Sequence, residues 1–250
     1  MKSLITIAYL FFTLMACSST KEIQYGNENP INHDAFTELL SKNVDETGKV
    51  NYQGFIDEKD KFTEYLNLLT SNKPTDKWSK NAQLAYWINV YNAFTIKLVS
   101  DHYPIASIKD IKNGIPFVNT VWDIKFIEFP DEKIDLNKVE HGIIRKDFDE
   151  PRIHFAVNCA SYSCPRLLNE AFEADKLEEQ LSKMAKDFLA DERKNIITKD
   201  KLQLSKLFSW FKGDFTNDET LIEFLNKYAP VQIDENAEID HLDYSWELND

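Results

Sequence analysis

The sequence predicts an α+β fold, in which a helix-rich single domain carries a small β-sheet. Apolar residues recur at helical spacing in several long segments, whereas alternating patterns occupy only short stretches. No linker rich in Gly, Pro or Ser, no repeat and no low-complexity tract interrupts residues 34–246. A chain of 250 residues can bury a sizeable core, so we predict one globular domain over 33–250.

The longest helical pattern covers residues 79–104 and defines the centre of the predicted core. Ser79 is a suitable N-cap, and Pro104 lies just past the end. The segment is apolar almost all round, which is typical of a buried helix. The predicted elements in chain order are helices over 33–44, 60–72 and 79–104, a strand over 120–129, a helix capped by Asp135, a short buried strand over 152–158, one or two helices within 169–193, a hairpin over 195–205 with Lys199 and Asp200 at its tip, and the closing helices.

The N-terminus has the features of an export signal. Lys2 is followed by an apolar stretch from Leu4 to Met15 that is too short to span a bilayer. The next residues, "LMAC", resemble a bacterial lipobox, which predicts a signal peptide over 1–16, a lipidated Cys17 and a flexible tether over 17–32. The alternative is an ordinary secretory signal cut elsewhere. We therefore expect a lipoprotein of the bacterial cell envelope, on the outer membrane or the periplasmic face.

The charge balance limits the classes of partner. The formal net charge is −13, and no basic patch is present in the sequence, which argues against nucleic acid and against electrostatic binding to anionic lipid. The expected membrane partner is reached only through the lipid on Cys17. We expect a monomer without a cofactor or a metal, whose ligand is a peptide or a small molecule.

The stretch "IHFAVNCASYSCPRLL" gathers the residues with the richest chemistry. Cys159 lies at the end of the predicted strand, where a nucleophile could leave the core, and it would need a base or a positive neighbour. The candidate neighbours are His141, His154, Arg145 and Arg166. A disulfide between Cys159 and Cys164 is feasible if the chain turns sharply. The non-functional alternative is that both cysteines are small apolar residues packed in the core. Zinc on His154 and the two cysteines is less favoured, because no C-x-x-C is present.

Two helices carry further polar candidates. Asn89 and Asn92 lie three positions apart in the long apolar helix, where they either tie the helix to a loop or line a polar cleft. On the helix after Asp135, Glu140 falls at the edge of the apolar face, and His141 lies further round. We expect Glu140 to be partly desolvated and paired with Arg152 or Arg166, although an ordinary surface helix fits the spacing as well.

Five segments in order resemble one family, the domain of unknown function 547. They are "YWINVYNAFTI", "IDLNKVEHGIIR", "EPRIHFAVNCASYSCPRL", "LSKLFSWFKGDF" and "LDYSWELN", and they span about residues 80–248. The resemblance assigns no activity. It does single out Glu140, His141, Arg145 and Cys159, whereas the position of Cys164 is often serine in plant members. A Cys–His–Glu set with a nearby Asn has the logic of thiol hydrolases, and the order of His before Cys is similar to that of permuted papain-like folds.

Two functional hypotheses follow. In the first, Cys159 attacks an acyl or amide carbon, His141 acts as the base, Glu140 orients it, and Asn89 helps to place the base or the oxyanion. His154 is the alternative base, and substrate contacts are expected from Asn92, Arg145 and Arg166. In the second hypothesis, the protein is a non-catalytic binding or scaffold lipoprotein, and the family segments determine the fold.

Overall fold

The computed structural model describes residues 29–112 and 120–250. The predicted signal peptide, Cys17 and most of the predicted tether lie outside the described residues. The helices are Asp34–Asn43 (α1), Tyr52–Asp57 (α2), Lys59–Ser71 (α3), Lys80–Ser100 (α4), Leu136–Val139 (α5), Arg145–Asp147 (α6), Ile153–Ala156 (α7), Leu177–Ala190 (α8), Leu207–Trp210 (α9), Lys212–Phe215 (α10) and Leu221–Asn226 (α11).

The strands are short and form two small sheets, so the α+β prediction is confirmed. They are Ile127–Glu128 (β1), Lys133–Ile134 (β2), Ile196–Ile197 (β3), Lys201–Leu204 (β4) and Glu238–His241 (β5). The β1 and β2 strands form one antiparallel pair. In the second sheet, β3 and β4 form the predicted antiparallel hairpin around Lys199 and Asp200, and β5 joins β4 in parallel.

The α4 helix lies at the centre of the core, as its apolar sequence predicts. The Ser79 hydroxyl accepts a hydrogen bond from the Ala82 N–H at 3.2 Å, so the predicted N-cap is confirmed. Tyr86, Ile88 and Val90 are completely buried. The α2, α3 and α5 helices pack against α4, which makes it the support for the polar residues described below.

The segment 120–129 is mostly not the predicted strand. It begins with a 3-10 turn at Val121–Asp123, and only its last residues pair as β1. The Asp123 carboxylate accepts hydrogen bonds from the Thr120 N–H at 2.7 Å and the Thr120 hydroxyl at 2.8 Å. These local side-chain bonds stabilise the turn over an extended chain, although the residue types alternate.

The prediction of a buried strand over 152–158 was wrong, because Ile153–Ala156 form the single helical turn α7. The turn starts at Pro151, where the Ile153 N–H bonds the Glu150 carbonyl at 3.2 Å and the His154 N–H bonds the Pro151 carbonyl at 3.3 Å. Backbone groups that pair locally need no neighbouring strand. A short apolar run suits either structure, so periodicity alone does not separate them.

The last segment of the chain returns to the loop that follows α7. The Tyr162 N–H bonds the Glu247 carbonyl at 2.7 Å, and Ser161 forms an isolated β-bridge with Leu248. One buried apolar cluster extends from Ile31 to Leu248, so both ends of the described chain contribute to the same core. Across 29–112 and 120–250, no helix combines the length and the apolar character that crossing a bilayer requires.

Candidate functional site

A cavity of about 220 Å³ opens where the helix after Asp135, the loop after α7 and the last segment of the chain meet. The walls are mostly aromatic, and a few polar groups project between the rings. The lining residues are Tyr91, Trp122, Asn137, Glu140, His141, His154, Val157, Cys159, Cys164, Leu207, Trp210, Phe211, Tyr244 and Trp246. An apolar cavity with a small number of convergent polar groups is the usual form of a ligand or active site.

A turn of π-helix at Glu140–Ile144 brings two of the polar groups to the cavity. Such turns insert an extra residue into a helix and often occur at functional sites. The Glu140 side chain is buried and accepts a hydrogen bond from the Tyr91 hydroxyl, and burial raises the pKa of Tyr91. His141 next to it is 43% exposed, and its Nδ1 lies 3.8 Å from the Glu140 Oε1.

The tautomer of neutral His141 follows from its contact with Arg145. The Arg145 Nη1 lies 3.1 Å from the His141 Nδ1. A guanidinium only donates hydrogen bonds, so Nδ1 accepts this bond and the hydrogen of the neutral imidazole is on Nε2. A protonated His141 would carry a hydrogen on Nδ1 as well, and Glu140, whose Oε1 lies 3.8 Å away, is then its ion-pair partner. The same nitrogen therefore has one partner for each charge state.

The other histidine is buried and belongs to a partly buried ionic set. The His154 Nε2 lies 2.7 Å from the Asp214 Oδ2, and Arg145 holds both Asp214 oxygens, at 2.6 and 2.8 Å. The hydrogen bonds from His154 and then from Arg145 hold the pKa of Asp214 well below its usual range. Burial lowers the pKa of His154, and its ring stacks on Phe211 with centroids 4.0 Å apart. Neutral His154 therefore donates its Nε2 hydrogen to Asp214.

The loop after α7 holds Cys159 in a defined and strained conformation. Ala160, directly after it, has a positive φ of 60°, which costs about 1–3 kcal/mol for a residue with a Cβ. The Asn158 side chain clamps both ends of the loop: it accepts from the Ala160 N–H at 2.9 Å and donates to the Pro165 carbonyl at 2.7 Å. Asn92 on α4 accepts the Asn158 N–H at 2.8 Å.

The Cys159 sulfur lies among hydrogen-bond donors at the cavity wall. The Ser161 Oγ is 3.2 Å from it and the Tyr244 hydroxyl is 3.3 Å from it. These two hydroxyl oxygens are 2.9 Å apart, so the three groups contact one another. Both hydroxyls can turn their hydrogens towards a thiolate, and hydrogen bonds to the charged form favour it.

The environment makes the two cysteines chemically different. The Cys164 thiol, which hydrogen-bonds the Cys159 sulfur, lowers the pKa of Cys159 most. Burial opposes this, and the hydroxyls of Ser161 and Tyr244 lower the value further, to about 7. Burial raises the pKa of the Cys164 thiol well above its usual value. Both cysteines are free thiols, and of the two only Cys159 is substantially ionised near neutral pH.

The structure brings together Cys159, His141, Glu140 and His154, and it places Arg145 directly behind the histidines. These are the residues that the family resemblance and the loop sequence indicate. In the described part of the chain, the hydrogen-bond partners of the Cys159 thiol are hydroxyls and Cys164, and neither histidine bonds it. No group of three His, Cys, Asp or Glu side chains within 29–112 and 120–250 is arranged to hold a metal ion.

Asn89 and Asn92 support the fold and do not line the cavity. The Asn89 side chain donates to the Phe172 carbonyl at 2.8 Å and accepts from the Phe172 N–H at 2.9 Å. Asn92 donates to the Ala156 carbonyl at 2.9 Å in addition to holding Asn158. Both amides are therefore fully engaged with backbone groups, as in the alternative that ties the helix to a loop. Neither residue lines the cavity in which the catalytic role of Asn89 and the substrate contact of Asn92 were expected.

The arginines expected to pair with Glu140 lie elsewhere. Arg152 binds Glu150 at 2.6 Å and Glu178 at 2.6 Å, and Arg166 binds Asp187 at 2.7 Å. Their acidic partners come from segments that the spacing around Glu140 does not reveal. Arg166 is consequently not among the residues that line the cavity, which corrects its expected place beside the substrate.

Aromatic side chains of three distant segments form one wall of the cavity. Trp246 lies 5.4 Å from Trp122, 6.0 Å from Trp210 and 4.7 Å from Tyr244, measured between ring centroids. Three of the five tryptophans of the chain thus line this cavity. Trp210 is 49% exposed, and the Lys109 ammonium lies 4.2 Å from the Trp246 ring. We call Trp122, Trp210, Tyr244 and Trp246 the aromatic wall.

Sequence reasoning missed Ser161, Asp214 and the aromatic wall as site residues. Their signal was present in part, because Asp214 lies in "LSKLFSWFKGDF" and Tyr244 in "LDYSWELN", two of the segments that carry the family resemblance. In the sequence, Asp214 and Tyr244 are both polar groups with aromatic residues nearby. Nothing in the local spacing, however, indicates that Tyr244 reaches a cysteine 85 positions earlier.

Residues 75–189 match the family model described as "Protein of unknown function, DUF547". The match includes α4, the π turn, Cys159 and Cys164, and it supports the family resemblance stated above. It ends before Asp214 and the last segment of the chain, which complete the cavity. No curated protein and no solved structure matches the chain.

Proposed function

We propose that the cavity is a thiol active site for acyl transfer or hydrolysis, with Cys159 as the nucleophile. The observation that carries the proposal is the position of the Cys159 sulfur at the cavity wall, with the hydroxyls of Ser161 and Tyr244 at 3.2 and 3.3 Å. A thiolate is the reactive form of cysteine, and the pKa of about 7 makes it abundant at neutral pH. The strained turn at Ala160 fits a site that holds its nucleophile fixed.

In the first half-reaction, the Cys159 thiolate attacks the carbonyl carbon of an ester, thioester or amide. A C–S bond forms, the leaving group departs with its electron pair, and the acyl group is now held as a thioester on the enzyme. In the second half-reaction, water or an acceptor nucleophile attacks this thioester and releases Cys159 as a thiolate. The hydroxyls of Ser161 and Tyr244 hydrogen-bond the sulfur whenever it is charged, which stabilises the starting and final states of the nucleophile.

His141 exchanges protons with the groups that enter and leave. Protonated His141 gives its Nε2 hydrogen to the leaving group, which leaves a neutral ring with its hydrogen on Nδ1. The free Nε2 then takes a proton from the attacking water or acceptor. When Nδ1 carries a hydrogen, it can no longer accept from Arg145, at 3.1 Å, and it pairs instead with the buried Glu140 carboxylate, at 3.8 Å. Glu140 therefore stabilises the imidazolium, and Arg145 stabilises the resting neutral ring, in which Nδ1 has no hydrogen. His154 is a positioning residue, because its Nε2 is engaged by Asp214.

The aromatic wall indicates the class of acyl group. A cavity of about 220 Å³ with mainly apolar walls favours an acyl group with an apolar or aromatic body over a strongly charged one. Glu140 adds a negative charge at one side, which disfavours anionic substrates further. The substrate class is thus an ester, thioester or amide whose acyl part is apolar or carries a ring.

The proposal also includes a lipid anchor on Cys17, which would place the cavity at the surface of an envelope membrane. The support is the sequence "LMAC" after a short apolar run. Mass spectrometry of the membrane-extracted protein should find an acylated N-terminal Cys17. A soluble mature form that begins at another residue would contradict the anchor and leave the chemistry of the cavity untouched.

The catalytic proposal is tested with a panel of nitrophenyl esters that differ in the size and charge of the acyl group. We expect a burst of nitrophenol and an acyl adduct that intact-mass and peptide mapping place on Cys159. Cys159→Ala should abolish both, and His141→Ala should slow turnover at least about 100-fold. His102→Ala is the matched control, since His102 lies at the end of α4 and outside the cavity lining.

The alternative is a non-catalytic binding module, and one observation favours it. Each histidine is engaged by another partner, His154 by Asp214 and the His141 Nδ1 by Arg145. If Cys159 reacts with a small alkylating reagent and yet accepts no acyl group from any ester of the panel, the cavity binds a ligand without chemistry and the enzyme proposal fails.

A further inference from the structure

Cys159 and Cys164 lie at the two ends of one closed loop. The Cys159 N–H donates to the Cys164 Sγ at 3.0 Å, and the Cys164 N–H donates to the Ser161 carbonyl at 3.0 Å. Asn158 clamps the loop from both sides, through the Ala160 N–H and the Pro165 carbonyl. Two cysteines can form a disulfide with each other only if their sulfurs can meet without unfolding the chain. This loop meets that condition, because the Cys164 Sγ already lies 3.0 Å from the backbone nitrogen of Cys159.

The two thiols are also placed unequally. Cys159 is partly exposed at the cavity, whereas Cys164, which also borders the cavity, is buried. The sulfur that an incoming molecule meets first is therefore Cys159, and the buried Cys164 thiol is placed to react with a group that Cys159 has already bound. An accessible nucleophile with a buried partner is the arrangement in which a mixed disulfide is formed by one thiol and resolved by the other.

We propose that Cys159 and Cys164 form a redox pair that reduces organic disulfides by thiol–disulfide exchange at this cavity. The activity does not rest on acyl transfer, since it needs only that a disulfide can reach the Cys159 sulfur. It uses the same nucleophile on sulfur instead of carbon. The aromatic wall again faces the incoming molecule, so small disulfides with aromatic or apolar groups are the expected substrates.

The exchange proceeds in two balanced steps. The Cys159 thiolate attacks one sulfur of the substrate disulfide, an S–S bond forms to the protein, and the other half of the substrate leaves as a thiolate. Cys164 then attacks the Cys159 sulfur, its proton passes to the second departing thiolate, and the substrate is released as two reduced halves. The protein has lost two electrons and holds a Cys159–Cys164 disulfide. A dithiol reductant returns it to the starting state through the reverse exchange.

The first step prepares Cys164 for the second. Besides burial, the hydrogen bond and the negative charge of Cys159 raise the pKa of Cys164. Both effects of Cys159 disappear when its sulfur becomes part of a neutral mixed disulfide. The Lys194 ammonium remains, donating to the Cys164 carbonyl at 2.5 Å, and its charge lowers the pKa of Cys164. Deprotonation of Cys164 is thus easier once the substrate is bound, while burial opposes it in both states.

The test uses the full chain with Cys17→Ser, so that only Cys159 and Cys164 contribute thiols. The native, reduced protein is treated with 4,4′-dithiodipyridine, a neutral aromatic disulfide, and the thiolate that is released as 4-thiopyridone is counted against chain concentration. We expect one equivalent of reagent to release two equivalents of thiolate per chain. The mass of the protein should then be lower by two hydrogens, as a Cys159–Cys164 disulfide requires. Cys164→Ser should release half as much and stop at a stable mixed disulfide. Cys159→Ser should release none on the same timescale.

The outcomes separate this proposal from acyl transfer. If the protein with both thiols stops at the mixed disulfide, Cys164 does not resolve it and the redox pair is overturned. The redox pair is overturned as well if neither thiol reacts in the native protein while ester turnover persists, and acyl transfer is then unaffected. Conversely, two equivalents of thiolate without any acyl adduct support the redox pair and reject the hydrolase. A urea midpoint close to that of the parent protein verifies that Cys164→Ser folds.

Discussion

The two sides of the cavity differ in the groups that surround their ionisable side chains: charged partners on one side and neutral hydroxyls on the other. On one side, Arg145, Asp214 and His154 form an ionic set in which every charge has a close partner. On the other side, neutral hydroxyls surround the Cys159 sulfur, and among the described residues its hydrogen-bond partners there carry no full charge. On the ionic side, the pKa of Asp214 is held far below neutral pH, so the carboxylate stays charged. On the thiol side, the pKa of Cys159 is about 7, so thiol and thiolate coexist near neutral pH.

The difference separates a group that supports a site from a group that reacts in it. A carboxylate whose pKa lies well below neutral stays charged throughout a reaction, so it can orient and hold its neighbours. A thiol with a pKa near ambient pH exists in both forms, so a nucleophilic thiolate is present even without a neighbouring base to remove the thiol proton. We therefore expect changes on the ionic side to affect stability, and changes on the thiol side to affect reactivity.

The largest effect should come from removing the shared partner of the ionic side. Asp214→Ala removes the acceptor of the buried His154 and the carboxylate that binds the Arg145 Nε and Nη2. We expect a loss of about 3 kcal/mol in the free energy of unfolding. Urea denaturation measures it. Asp218→Ala is the matched control, since Asp218 is exposed on the same segment and should change stability by less than about 0.5 kcal/mol. A loss below about 1 kcal/mol for Asp214→Ala would show that the set is not structural.

The next effect concerns the pH dependence of stability. Burial lowers the pKa of His154 in the folded protein, so at a pH below about 6.5 the unfolded chain binds a proton that the folded chain does not. Stability should therefore fall as the pH drops from about 6.5 to 5, by at most about 1.4 kcal/mol per unit for this group. His154→Gln should flatten the slope in that window. The depressed pKa of Asp214 acts in the same direction, but only below about 4.

His33 provides an internal comparison for that measurement. Burial lowers its pKa to about 4, and it bonds the Tyr65 hydroxyl far from the cavity. His33→Gln should flatten the slope of stability between about pH 5 and 6.5 as well, and the two substitutions should be additive because the sites share no partner. An unchanged slope in both variants would mean that buried histidines do not set the acid stability of this protein.

On the thiol side, Tyr244→Phe removes one donor to the Cys159 sulfur and leaves the ring in place. The midpoint for alkylation of Cys159 against pH should rise by about one unit, equivalent to about 1.4 kcal/mol, with the unfolding free energy less affected. Tyr228→Phe is the matched control, because Tyr228 contacts Phe224 of α11 and does not line the cavity. A midpoint that does not move would show that the hydroxyl hydrogen bonds do not set the acidity of the thiol.

The smallest shift should come from the histidines. Since neither imidazole bonds the sulfur in the described structure, His141→Ala should leave the alkylation midpoint nearly unchanged while it slows ester turnover. His154→Ala should act through stability instead. If His141→Ala raises the midpoint as much as Tyr244→Phe does, the imidazole and the thiolate form a direct pair in solution, and the contrast between the two sides of the cavity becomes weaker.

Family segments and local chemistry predict part of the cavity from the sequence. They indicate Cys159, His141, Glu140 and His154, and all four line it. They do not identify the partners of these residues, since Arg145 was expected at the substrate and Asp214 was not considered. A carboxylate 60 positions from His154 leaves no periodic signal near the histidine, and the same holds for Tyr244 and Cys159.

The sequence by itself determined the elements whose hydrogen bonds are local. The α4 helix with its Ser79 cap and the β3–β4 hairpin each follow from a few neighbouring residues. The tertiary structure decided whether the run at Ile153–Ala156 became a strand or a helical turn, and which donors surround Cys159. A short apolar run satisfies both conformations, and a hydrogen bond between distant residues exists only after the core has brought them together. The chemistry of Cys159 therefore depends on contacts that the fold makes, although the residue itself was visible in the sequence.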